Sequence, residues 1–113
     1  MDCERFPPER RLRTRRDFRQ AFGQGRVVYT GVFSVVFRRN EMGFSRLGIA
    51  IRKAVGNAPL RNRLKRWIRE AFRRNAHVRS LSLDIVVTMK RPLADIDFHE
   101  IQNGFQLFLR KLP

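Results

Sequence analysis

Gly56-Asn57-Ala58-Pro59-Leu60-Arg61-Asn62-Arg63-Leu64-Lys65-Arg66-Trp67-Ile68-Arg69-Glu70-Ala71-Phe72-Arg73-Arg74 is the stretch around which the rest of the chain is arranged. Asn57 suits a helix N-cap, because its side-chain oxygen accepts from an orphan N–H of the first turn, and Pro59 stands where a missing N–H costs nothing. A helix is therefore predicted from residue 57 or 58 onward. At about 100° per residue, Leu60, Leu64, Trp67, Ile68, Ala71 and Phe72 fall on one side and form a core face. Asn62, Lys65, Arg66, Arg69 and Arg73 project to the opposite side, with Arg61 and Arg63 flanking the apolar stripe. A solvated helix face normally mixes signs, since like charges one turn apart repel. Here Glu70 is the only acid among seven basic residues. A polyanionic partner would supply the missing negative charge, and the predominance of arginine favours phosphate, whose oxygens the planar guanidinium binds two at a time.

The whole chain points the same way. Its 113 residues make one domain with one core, and its formal net charge is +15. That excess calls for nucleic acid rather than a membrane, because no apolar run approaches the ~20 residues needed to span a bilayer. Cys3 is the only cysteine and has no internal disulfide partner. With no signal-peptide pattern at the charged, proline-containing N-terminus, a reducing, cytoplasmic location is expected.

Residues 1 to 11 are polar, contain Pro7-Pro8, and read as a partly ordered arm. Thr14 followed by Asp17 signals a short helix, stopped by Gly23 and Gly25. Phe18, Ala21 and Phe22 share one face of it, with Arg15, Arg16 and Arg19 around them. An i,i+4 phenylalanine pair reads as core packing or as a base-stacking surface. From Val27 to Arg38 β-branched and aromatic residues alternate, broken at Thr30-Gly31, which predicts a short strand, a bend and a longer strand. Phe33, Val35 and Phe37 share one face, and Ser34, Val36 and Arg38 the other. Asn40 to Ser45, with Gly43, reads as a hairpin-like connection to a strand from Arg46 to Lys53.

In that strand Leu47, Ile49 and Ile51 alternate with Gly48, Ala50 and Arg52. The second set is small until Arg52, which leaves room either for a groove or for the first helix. Residues 77 to 82 read as a loop, Leu83 to Met89 as a largely buried strand ended by Arg91-Pro92, and Asp97 as the cap of a last helix. The apolar stripe of that helix is Phe98, Ile101, Phe105, Phe108 and Leu112. The order is that of an α+β domain with a single sheet of about four strands packed by helices. Strand 46 to 53, the basic helix and strand 83 to 89 form a candidate βαβ unit whose default hand would be right.

No constellation for catalysis is present. His77 and His99 stand without a Cys or His at ligand spacing. Asp84 alone among the acids lies in a predicted strand, as an edge or hydrogen-bonded residue, which does not make a two-metal nuclease site. Gly23-Gln24-Gly25 has neither the lysine nor the strand-first context of a phosphate loop. The chain binds rather than catalyses by itself.

Arg46-Leu47-Gly48-Ile49-Ala50-Ile51, Gly56-Asn57-Ala58 and Arg61-Asn62-Arg63-Leu64-Lys65-Arg66-Trp67-Ile68-Arg69-Glu70 resemble the protein subunit of bacterial ribonuclease P. Arg11-Leu12, Arg16-Asp17-Phe18 and Ala21-Phe22-Gly23-Gln24-Gly25 are also similar, and the C-terminal strand and helix match in pattern, so nearly the whole chain is covered. The resemblance implies a two-layer αβββαβα fold with a left-handed βαβ crossover, in place of the default hand. It implies that the catalyst is a large RNA using bound Mg2+, held mainly by that RNA and the substrate and by no protein ligands alone. The small basic protein would bind that RNA and the 5′ leader of precursor tRNA, with no further protein partner and no membrane. Carried over by position, the leader groove would be lined by Phe18, Phe22, Val36, Ala50, Arg52 and Lys53. Val36 stands where the family often has an aromatic. Arg61, Asn62, Arg63, Lys65, Arg66 and Arg69 would contact the RNA subunit. A ribosomal or RNA-assembly protein is the competing reading on charge and fold class. A DNA-binding module lacks the preceding helix and tight turn, and a self-sufficient nuclease lacks the acids and histidines.

Overall fold

The computed structural model describes residues 11–12, 15–90 and 96–112. The arm at residues 1–10, the Thr14 cap and the Arg91-Pro92 stop lie outside the described residues. The elements are α1 (Arg15–Gln24), β1 (Arg26–Tyr29), β2 (Ser34–Arg39), β3 (Arg46–Ile51), α2 (Ala58–Arg74), α3 (Ala76–Arg79), β4 (Leu83–Met89) and α4 (Phe98–Lys111), with one 3₁₀ turn at Lys53–Val55.

The four strands form one sheet in the order β1-β2-β4-β3. β1 pairs antiparallel with β2 and β2 antiparallel with β4, while β3 and β4 run parallel, joined through α2. The period-two alternation read from the sequence decides which side chains face which layer. Phe33 just before β2, Val35 and Phe37 of β2, Leu47 of β3, and Ile85, Val87 and Met89 of β4 lie in the main core with Leu64, Ile68 and Phe72 of α2 and Ile101, Phe105 and Phe108 of α4. Aromatic rings cross this interface, Phe37 edge to face with Phe108 at 5.3 Å and Phe33 tilted against Phe105 at 5.4 Å between centroids. Gly104 of α4 is required by closeness: a Cβ there would lie 2.6 Å from the Phe33 ring.

α1 lies on the opposite face, so the body of sheet plus α2 and α4 gains a partial third layer. Its anchor is a second, smaller cluster of Leu12, Ala21, Val36 and Val86, joined by Phe18 and Ala50. Gly48 makes this approach possible, since a Cβ there would meet the Phe18 ring at 2.9 Å and Leu12 at 3.1 Å. The chain just before α1 is tied to the free edge of β3, where Arg11 bridges Leu47 in parallel and the Leu12 N–H donates to the Leu47 carbonyl at 2.9 Å.

α2 begins as its sequence predicts. Asn57 caps it by accepting from the Leu60 N–H at 2.9 Å, with Pro59 in the first turn. α4 likewise starts on Asp97, whose carboxylate accepts from the Glu100 N–H at 2.9 Å.

Two sequence expectations are corrected. The segment from Asn40 to Ser45 is not a hairpin, because β4 inserts between β2 and β3. Instead it is stitched to the chain before β4: the Asn40 N–H donates to the Ser82 carbonyl, the Ser45 N–H to that of Arg79, and the Ser45 hydroxyl to that of Val78. Residues 77 to 82 are not all loop. Asn75 ends α2 and then caps the short α3 by accepting from the Val78 N–H at 3.0 Å, which buries Val78. Of the two readings of Asp84, edge or hydrogen-bonded, the second holds, since its strand is central and its carboxylate is bonded by Asn40 and Arg46. It faces Arg46 of β3 and Arg38 of β2 in register.

Candidate nucleic-acid interface

The α1 face of the sheet is built in rows that the strand register defines. One row is Arg38–Asp84–Arg46, the next Val27–Val36–Val86–Gly48, and the third Tyr29–Ser34–Thr88–Ala50. The first row is a polar network centred on Asp84. The Asp84 carboxylate has no solvent exposure and accepts from Arg46 Nε and Nη2 at 2.8 Å each and from Asn40 Nδ2 at 2.8 Å, with Arg38 Nη2 at 3.2 Å. Burial alone would raise the pKa of this carboxyl. The hydrogen bonds from Arg46 and Asn40 and the charges of Arg46 and Arg38 outweigh it and hold the group below its ordinary value. Arg38 also donates to Gln20 Oε1 at 3.1 Å, which ties α1 to the sheet.

The middle row lies under α1. Val36 is only 6% exposed, packed in the small cluster beneath the helix, so it forms floor rather than surface. Phe18, half-buried, covers Gly48. Phe22, one turn further along α1, is 49% exposed. The third row has half-buried Ala50 and Ser34, and leads past the end of β3 to exposed Arg52 and Lys53. The Arg52 N–H donates to the Met89 carbonyl at 3.0 Å, which fixes where this basic pair leaves the sheet. Phe18, Val36 and Ala50 thus come together around one cluster. Phe22, Arg52 and Lys53 are exposed on the surrounding surface.

α2 lies against the other face, with its basic side chains on the surface. Arg61 is partly held, its Nε donating to the Gly56 carbonyl at 3.1 Å, and the Arg63 guanidinium lies 6.0 Å from the Trp67 ring centroid. Asn62, Arg63, Arg66 and Arg69 are exposed, and Lys65 is half-exposed. Arg73 and Arg74 differ, because both bind Glu70, at 2.6 and 2.8 Å, and Arg74 also lies 5.2 Å over the Phe98 ring. Their side-chain hydrogen bonds, chiefly that of Arg73, hold the Glu70 pKa down at about 2. Among the described residues no carboxylate pairs with Arg63, Lys65, Arg66 or Arg69.

Lys65 and Arg69 meet α1's territory around the free edge of β3, in a recess of about 210 Å³ shared with Arg11, Leu12, Phe18 and Gly48. Partial desolvation and the Arg11 charge lower the Arg69 pKa from its ordinary value. Lys65 and Arg69, crowded this way and with no carboxylate partner among the described residues, fit an anion better than solvent. Arg11 has no place in the periodic patterns of the sequence and is brought to this recess by its bridge to Leu47. Tyr29 and Thr88 were also not marked by the sequence as site residues. Alternation against the core-facing Val28 is the one signal that could have placed Tyr29 on the α1 face.

The geometry therefore offers an extended basic surface with exposed aromatic rings. Among the described residues, no three of His, Cys, Asp and Glu are grouped to hold a metal ion, and no helix is long and apolar enough to cross a membrane.

The sequence profile of ribonuclease P matches residues 6–113. The chain belongs to the ribonuclease P protein family. It is 39% identical to the ribonuclease P protein component of Thermotoga maritima over 113 residues, covering 96% of this chain and 97% of that one. The protein component of Syntrophus aciditrophicus is 36% identical over 103 residues, covering 91% and 87%. The solved ribonuclease P protein from Thermotoga maritima superposes with a TM-score of 0.77 at 39% identity, covering 91% of this chain and 97% of that chain. That from Staphylococcus aureus gives 0.78 at 36% identity, covering 89% and 93%. Membership of this family ties the chain to an endoribonuclease that processes tRNA.

Proposed function

We propose that this chain is the protein component of a ribonuclease P ribonucleoprotein, binding the catalytic RNA through α2 and the 5′ leader of precursor tRNA across the α1 face of the sheet. The observation that carries this is the family match over nearly the whole chain together with the unpaired basic residues of α2. In this reading Arg61, Asn62, Arg63, Lys65, Arg66 and Arg69 bind phosphates and 2′-hydroxyls of the RNA subunit. Phe18 and Phe22 offer ring faces to leader bases, while Arg52 and Lys53 neutralise leader phosphates. Val36 and Ala50 support that surface from below.

Hydrolysis of the phosphodiester is assigned to the RNA subunit, where Mg2+ held by that RNA and the substrate would supply the activated water and the charge stabilisation. This chain offers no cluster of ligands for them among its described residues, and its buried carboxylate, Asp84, is taken up by arginines. Its own contribution is positional. Leader contacts favour precursor over cleaved product, and a positive surface beside the scissile phosphate lowers the repulsion between two RNAs.

The test is 5′-end cleavage of a precursor tRNA at low Mg2+ by the cognate RNA subunit, with and without this chain, and by the chain alone. Cleavage stimulated only when both are present is the expected result. Tight binding to ribosomal RNA without stimulation would replace this reading with that of an assembly protein. Cleavage by the chain alone would refute the division of labour.

A further inference from the structure

Tyr29 is the only tyrosine of the chain and, at 68%, the most exposed of the large hydrophobic side chains among the described residues. It sits on β1, at the edge of the sheet opposite β3. Its strand register places it directly beside Ser34, so it stands on the α1 face, in the same row as Thr88 and Ala50. The neighbouring Val28 turns the other way, into the main core. Val27, which shares the face of Tyr29, is 48% exposed.

A recess of about 390 Å³ opens at this end of the sheet, lined by Tyr29, Gly31, Ser34, Thr88 and Lys90 among others. That volume lies within the range of small-ligand sites, roughly 300–1,000 Å³. Lys90 is exposed, and the Arg52 N–H bonded to the Met89 carbonyl brings Arg52 and Lys53 to the same end. Lys111 Nζ donates to the Tyr29 carbonyl at 2.8 Å, which holds this stretch of the edge strand. An exposed ring, a nucleotide-sized recess with Lys90 in its wall, and Arg52 and Lys53 at the other side of the same end match the chemistry of a single-stranded RNA: a π-face for a base and positive charge for its phosphates.

We propose that Tyr29 is a stacking platform for a distal nucleotide of the precursor leader, at the far end of the row that begins at Ala50. The proposal rests on the leader-binding reading above. Val36 stands under α1 and cannot offer a ring, and Tyr29 on the adjoining strand supplies an aromatic surface on the same face. Three strand spacings of about 4.8 Å separate the Ala50 and Tyr29 strands, so the row is roughly 14 Å long, about four stacked nucleotides. A leader that enters beside Ala50 and Arg52 reaches Tyr29 only when it is several nucleotides long. The contact is to the base face, so it tolerates any base and favours purines through their larger stacking area.

The experiment measures affinity of the holoenzyme, reconstituted with Tyr29→Ala, Tyr29→Phe or the natural chain, for mature tRNA and for precursors with leaders lengthened one nucleotide at a time. A 2-aminopurine placed successively along the leader reports stacking by quenched fluorescence. Expected is a loss of about 5- to 150-fold for Tyr29→Ala, the range for stacking one base on an aromatic side chain, confined to leaders long enough to cross the sheet. Tyr29→Phe keeps the natural affinity, and the quench at one leader position disappears only in Tyr29→Ala. Equal affinity of Tyr29→Ala and the natural chain at every leader length would overturn the proposal, as would an equal loss for mature tRNA. If the natural holoenzyme itself showed no preference for leader-bearing substrate, the leader-binding reading would fall, an outcome visible without any variant.

Discussion

Neutralising Lys65, Arg66 and Arg69 together, each to glutamine, tests whether α2 is a phosphate-binding helix. The structure separates its cations into two groups. Lys65, Arg66 and Arg69 have no carboxylate partner among the described residues, whereas Arg73 and Arg74 share Glu70. Each phosphate contact contributes about 0.7 to 0.9 to the slope of log affinity against log salt. Loss of three contacts therefore flattens the slope by about 2 to 3 units, and the deficit of the variant at 50 mM salt exceeds that at 200 mM by about 30-fold. Arg73→Gln with Arg74→Gln removes the same kind of charge from the same helix. Because Glu70 already neutralises part of it, this pair is expected to flatten the slope by one unit at most. Glu70→Gln releases both arginines and should steepen the slope. The assay is filter binding or fluorescence anisotropy of the RNA subunit over a salt series. A slope unchanged in the triple variant, or changed equally by the Arg73 and Arg74 pair, would refute the assignment of RNA binding to the unpaired side of α2.

Asp84→Asn should destabilise the fold by about 3–5 kcal/mol, because Arg46 and Arg38 would face each other across a buried site without a counter-charge. For a domain of this size that is a fall in melting temperature of about 10–20 °C by calorimetry, and a change under 3 °C would sink the argument. The folded pKa of Asp84 lies below its unfolded value, so this stabilisation is present above about pH 4 and lost as pH falls through the folded-state value. Natural protein should accordingly lose stability on acidification over that window, and Asp84→Asn should lose less. Phe22→Ala should weaken binding of precursor by about 5- to 150-fold with mature tRNA unaffected and melting nearly unchanged, since the ring is half in solvent. Phe18→Ala should show the same preference together with a lower melting temperature, because that ring also fills space over Gly48 and the small cluster. Equal losses for precursor and mature tRNA in Phe22→Ala would remove it from the leader surface.

The local part of this protein was written in its sequence because local interactions decide it. Helix starts at Asn57 and Asp97 follow from one side-chain oxygen reaching an N–H three residues on. The faces of β2 and β3 follow from alternation, and the apolar stripes of α2 and α4 from a period of 3.6. The signature around Arg61-Asn62-Arg63 likewise named the family before any contact was seen. What alternation cannot convey is which strand lies beside which. β4 enters between β2 and β3 from more than thirty residues away, and that insertion unmade the hairpin at Asn40 to Ser45 and decided for Asp84 between an edge and a hydrogen-bonded place at the centre of the sheet.

The same limit governs the binding surface. The basic helix was legible as a binder, but its division into paired and unpaired cations depended on Glu70 reaching Arg73 and Arg74 rather than other neighbours. Small residues at Gly48 and Ala50 admitted either a groove or a covering helix, and the fold uses both: α1 closes over Gly48 and Val36 and leaves the row from Ala50 to Tyr29 beyond it. Sequence alone determined the elements apart from the short α3, their faces, the charge and the family, since each depends on residues within a few positions or on a linear pattern. Tertiary structure decided the strand order, the Asp84 network, the meeting of Arg11 with Arg69 and the placing of Tyr29 on the α1 face. Those depend on distances between residues far apart in the chain, which only the packed core sets.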